Sequence, residues 1–218
     1  MSTKILLALG ALCAPIFIGT FLIEGSTRAQ YNWLRFSISA LSIGPHGWIQ
    51  IASFIATGLL IILLGVGLRL SLAPDSEGSL WGPIAVAIAG IGLIGAGVFV
   101  SDPVFGYPPD QPLVLKQFTT RGHLHDFFST FWFVGLPTAC FVLARRFLKL
   151  GESGWAVYST VSGIGMLVFF VLAGAGFNQT KGLVDYAGLY QRLSASTGLG
   201  WLTLIAIHHI GAQTFDKR

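Results

Sequence analysis

Six stretches of the chain, residues 5–23, 48–68, 80–100, 127–144, 155–177 and 193–211, contain no Asp, Glu, Lys or Arg. A helix needs about 20 apolar residues to cross the hydrocarbon core of a bilayer, and each run has about that length. Backbone polar groups meet no water in that core, so each run is expected to close its hydrogen bonds internally as a helix. The alternation over about ten residues that marks a membrane β-barrel is missing. The pattern predicts an all-α polytopic membrane protein. It would be one integral membrane domain over residues 1–218, a bundle of six transmembrane helices with long extracytoplasmic loops. The first run exceeds the roughly 7–15 apolar residues of a secretory leader, so it is expected to be a span.

Within the runs, "AVAIAGIGLIGAGV" and "VLAGAG" are dense in small residues. In lipid such residues let helix backbones approach closely, so tight helix–helix contact is expected there. Pro15 and Pro137 interrupt their runs and predict kinks, because each removes one helical N–H.

Composition agrees with the pattern. The chain of 218 residues is 53% hydrophobic and 10% charged, against about 25% charged in soluble domains. It cannot cover a water-facing surface, and its first partner is the lipid bilayer. The net charge of +4 is dispersed, with no basic stripe to suit nucleic acid. Cys13 and Cys140 both lie in apolar runs, which argues against a disulfide framework.

An even number of spans puts both termini on one side. Lys4, Arg69, Arg145, Arg146, Lys149, Lys217 and Arg218 fall on that side, and Arg28, Arg35, Lys116, Arg121, Lys181 and Arg192 on the other. The count is nearly even, but Arg145, Arg146 and Lys149 crowd one short connector, where positive charge weighs most. Both termini are therefore expected in the cytoplasm, with the protein in the cytoplasmic (cell) membrane.

That orientation places the polar connectors 24–47, 101–126 and 178–192 on one outer face. The first is expected to form an interfacial helix, with Ser37, Ser39 and Ser42 on its solvated face. In "TTRGHLHD" at 119–126, Thr119 or Thr120 suits an N-cap and Asp126 a first helical turn. His123 and His125 are not explained that way. On a helix, residues two apart point about 200° from each other and cannot easily share an ion; in an extended segment they point together and could chelate. A lone H-x-H is short of the three or four ligands that zinc sites use. His208 and His209, near the other end of the last run, are expected to turn their polar tips toward water. They lie on the order of 20 Å from the first pair along the helices, too far to hold one haem between them.

Three fragments carry a family resemblance: "ISALS" at 38–42, the Asp102-Pro103 exit from the third run, and "TTRGHLHD". With the six-run layout, the chain resembles the prokaryotic integral-membrane family catalogued as domain of unknown function 998. Ser42 stands where that family usually has Gly, and Arg121 where a His often precedes Gly122. The resemblance implies a six-span fold and a membrane location, and no activity.

The functional expectation is binding of a lipid or small ligand at an outward polar pocket, with Arg121, Ser39, Tyr107, Asp185 and Arg192 as ligand-binding residues. The alternative is a membrane-embedded, metal-dependent hydrolase or transferase acting on lipid headgroups. His123, His125, Asp102 and Asp126 are then the catalytic candidates, and His123, His125 and Asp102 the metal ligands. No cofactor can be assigned from the sequence. Ion-coupled transport ranks third, because the runs hold no acidic or basic residue at mid-depth.

Overall fold

The computed structural model describes residues 1–72, 80–103, 106–109, 111–113 and 117–215, with side chains described to residue 211. Part of the connector after Leu72, together with Lys116, Lys217 and Arg218 of the charge count, lies outside these residues. The helices are α1 (Thr3–Ala11), α2 (Cys13–Thr27), α3 (Gly47–Leu72), α4 (Trp81–Val98), α5 (Thr120–Lys149), α6 (Ser153–Phe177) and α7 (Ala187–Phe215). Among the described residues, five helical segments are long and apolar enough to cross a membrane: Thr3–Thr27, which joins α1 and α2, and α3 to α6.

The break between α1 and α2 follows from Pro15. Proline has no N–H to give the carbonyl four residues back, which is that of Ala11. Leu12 instead bonds back to Leu9 at 3.1 Å, a tighter three-residue step. The freed Ala11 carbonyl accepts the Thr203 hydroxyl of α7 at 2.9 Å. A backbone acceptor that would be stranded in lipid is thus satisfied from a neighbouring helix.

Helices adjacent in sequence pack side by side from α3 to α7, and α7 closes the ring against α1 and α2. α3 and α4 cross where Gly58 meets Gly90. A Cβ on Gly58 would stand 2.6 Å from the Gly90 carbonyl oxygen, and one on Gly90 2.7 Å from that of Gly58. Only glycine fits at such a crossing, which is the close contact expected of small residues in lipid.

α7 carries polar groups along its length, and several are spent inside the bundle. Ser194 donates to the Met166 carbonyl at 2.8 Å, and the indole N–H of fully buried Trp201 donates to Ser159 Oγ at 2.9 Å. His208 and His209 correct a sequence expectation, since protein groups hold them in place of water. His208 Nε2 lies 2.8 Å from a Glu152 carboxylate oxygen, and the buried His209 ring meets Ser71 Oγ through Nδ1 at 3.3 Å.

The first connector also differs from expectation. It forms no long interfacial helix; a short 3-10 turn, Ile38–Ser42, folds into the bundle between the end of α2 and the start of α3. Ser37, Ser39 and Ser42 are buried rather than solvated. The turn is held from inside: Gln191 Oε1 accepts the Ile38 N–H at 2.7 Å, and the Tyr31 hydroxyl donates to the Ser37 carbonyl at 2.7 Å. Gln191 comes from α7, 153 residues away, and Tyr31 from ahead of the turn, so periodicity within the short run could not reveal them.

Candidate functional site

The site is built where α5 begins. Thr119 is its N-cap, with extended backbone (φ −75°, ψ 159°), and its Oγ1 accepts the Gly122 N–H at 3.0 Å. Asp102, just beyond α4, accepts from Thr119 twice: Oδ2 from the backbone N–H at 2.8 Å and Oδ1 from the hydroxyl at 2.7 Å. Its negative charge therefore lies against the positive end of α5. Gly122 makes this approach available, because a Cβ there would stand 2.1 Å from Asp102 Oδ2.

One turn further, His125 is 3% exposed. Its Nδ1 lies 2.9 Å from the Ala96 carbonyl oxygen and 2.8 Å from that of Phe99. Carbonyls only accept, so Nδ1 carries a proton; in the neutral ring Nε2 then accepts the Ser39 hydroxyl, 3.0 Å away. Ala96 and Phe99 sit at the C-terminal end of α4, where carbonyls lack helical partners. One imidazole thereby ties α5, the end of α4 and the 3-10 turn together.

His123 points elsewhere. α5 already begins at Thr120, so the helical alternative for the histidine pair applies, and the two rings diverge. His123 is exposed, its ring 5.7 Å from that of Phe118. The early start also moves Asp126 to the seventh position of α5, past the first turn expected for it. Arg121 is exposed. Among the described residues, no group of three or more His, Cys, Asp or Glu side chains converges to hold a metal.

A second polar cluster lies between the first connector and α7. Arg192 is 5% exposed and donates through Nη1 to the Phe36 and Gly188 carbonyls, at 2.9 and 3.0 Å. Its Nη2 donates to the Tyr31 hydroxyl, and its guanidinium carbon lies 5.6 Å from the ring centres of Phe21 and Tyr31. Burial pushes the Tyr31 hydroxyl above its ordinary pKa, against the pull of the Arg192 charge. Tyr107 is buried edge-on to Tyr31, with ring centres 5.2 Å apart. Asp185 belongs to neither cluster; its exposed carboxylate lies 3.5 Å from Arg35.

Beside the α5 start, a cleft of about 360 Å³ opens between α5 and α6. On α5 its wall is Gly122, Asp126, Ser129, Thr130 and Phe133; on α6 it is Phe170, Ala173, Gly174 and Phe177. Both sets follow the spacing of a single helix face. Phe133 and Phe170 stack at 4.3 Å and 15°, forming an aromatic floor. Towards the α5 start the wall is polar, with Ser37, Ser39, Asp102, Asp126, Asn178 and Gln191. Asp126 has no hydrogen bond or ion pair from its carboxylate among the described residues. A Cβ on Gly174 would meet nothing within 4 Å.

The cleft brings together Ser39, Asp102, His125 and Asp126 of the residues expected from sequence; Arg121, His123, Tyr107, Asp185 and Arg192 are not in its lining. It adds Ser129, Thr130, Gly174, Asn178 and Gln191, which lie outside the ligand-binding and catalytic sets expected from sequence. A signal for two of them was present: Ser129 and Thr130 continue the face of Asp126 into an apolar run.

A family model described as "Protein of unknown function (DUF998)" matches residues 11–208. The chain belongs to this family. No curated protein and no solved structure matches it.

Proposed function

We propose that this DUF998 member is a six-span protein of the cytoplasmic membrane, with both termini inside, that binds a lipid or small amphiphile in the α5–α6 cleft on its outer face. The carrying observation is the cleft itself: about 360 Å³, polar at one end and floored by stacked Phe133 and Phe170 at the other. Its volume is in the range of small-molecule sites, and an amphiphile has the same split chemistry. α7 is the sixth span. Its 29 residues extend roughly 43 Å, enough to cross a core of about 30 Å. Arg145, Arg146 and Lys149, at the end of α5 beside the short connector to α6, support the cytoplasmic side.

The hydrolase or transferase reading draws less support from the same geometry. His125 is committed to backbone carbonyls and Ser39, both oxygens of Asp102 are engaged by Thr119, and His123 faces away. Asp126 is left as a lone carboxylate, one group short of an acid–base pair.

Gly174→Leu tests the binding reading, since its side chain enters open space in the cleft. Native mass spectrometry of the protein released from membranes should show lipid or amphiphile adducts that the variant loses. Equal adducts in both proteins would remove the cleft as the site.

A further inference from the structure

Resting on that binding reading, we infer that the cleft selects amphiphiles with a cationic, amine-type headgroup, seated against the Asp126 carboxylate. Asp126 and Asp102 both border the polar end, and among the described residues lining the cleft there is no Lys or Arg. The two carboxylates are unequal. Asp102 is turned onto Thr119 and the positive end of α5, which leaves little of it for a ligand. Asp126 faces the cleft with no such partner.

Both ring nitrogens of His125 are already engaged, Nδ1 by the Ala96 and Phe99 carbonyls and Nε2 by Ser39, so neither is left for an anionic headgroup. An anionic headgroup would lie beside Asp126, with no Lys or Arg in the described lining to offset the repulsion. A neutral polyol could use Ser129, Asn178 and Gln191, but it would leave the Asp126 charge unpaired on binding. An ammonium pairs that carboxylate and also lies beside the Phe118 ring, which borders the cleft. The alkyl chain then starts on the Phe133–Phe170 floor, about 10 Å further along α5, given seven residues from Asp126 to Phe133.

The test uses full-length protein in maltoside micelles and three hexadecyl amphiphiles that differ only in headgroup: ammonium, phosphate and maltoside. Competitive binding is measured for the wild type, Asp126→Asn and Gly174→Leu. The ammonium should bind the wild type at least about tenfold more tightly than the phosphate. Asp126→Asn should remove that preference and leave maltoside binding in place. The Asp126 side chain makes no hydrogen bond among the described residues, so this variant is expected to fold. Equal binding of ammonium and phosphate to the wild type, or a preference that survives in Asp126→Asn, overturns the headgroup assignment. If the probes then still bind the wild type and lose affinity in Gly174→Leu, the cleft reading stands alone. If no probe binds, or Gly174→Leu changes nothing, both readings fall.

Discussion

Asp102 and Thr119 clasp each other through both carboxylate oxygens, one on the backbone N–H at 2.8 Å and the other on the hydroxyl at 2.7 Å. The end of α4 is thereby fixed to the start of α5, with the carboxylate as a second tier of the helix cap. Hydrogen bonds to a charged group contribute about 1.5–3 kcal/mol each. Asp102→Ala should therefore cost about 3–6 kcal/mol, seen as a lower unfolding midpoint in micelles. Gly122→Ala should be comparably harmful, because its methyl would occupy the place of Asp102 Oδ2. A midpoint unchanged by either substitution would contradict the clasp.

His125→Ala should destabilise without altering metal content. It strands the Ala96 and Phe99 carbonyls and leaves Ser39 unpaired, at about 1–3 kcal/mol for each buried group left without a partner. Elemental analysis of wild type and variant should give the same result. Metal present in the wild type and missing from His125→Ala would restore the chelation hypothesis.

Thr203→Val should cost about 0.6–1.7 kcal/mol, the range found for polar contacts between membrane helices. The cost should shrink in a Pro15→Ala background, where residue 15 regains an N–H that can reach the Ala11 carbonyl. A double-mutant cycle measures this coupling. Additive effects would show that Thr203 is not replacing the bond that Pro15 removes.

Tyr31 gives a pH dependence. Its folded pKa lies above the ordinary value of about 10, chiefly through burial. The unfolded chain therefore releases this proton first as pH rises. The associated stability is fully present below about pH 10 and is lost as pH climbs through the higher folded value. Unfolding midpoints measured across that alkaline window should fall less steeply for Tyr31→Phe than for the wild type. Parallel slopes would refute the burial of a neutral hydroxyl.

Long apolar runs made the helices legible, because crossing lipid imposes a length and forbids charge, and both are local properties of the chain. Boundaries were less legible. α5 begins at Thr120, seven residues before its apolar run, since Thr119 and Asp102 cap it there. Arg192 and Tyr107 looked like ligand groups because they were polar or aromatic in a loop-rich region. In the fold they serve instead to anchor the first connector, buried against Tyr31 and the Phe36 carbonyl or ring.

The sequence by itself determined that this is a helical, lipid-embedded chain and that a helix starts at "TTRGHLHD", since apolar length, charge depletion and capping chemistry act within about 20 residues. Tertiary structure alone decided what that stretch does. The histidines diverge because the helix begins before both. Asp102 is consumed because glycine at 122 lets it approach, and Asp126 faces a cleft because α6 lies alongside with open space at Gly174. Each of these depends on a partner brought close from elsewhere in the chain, and the local pattern of one segment does not contain it.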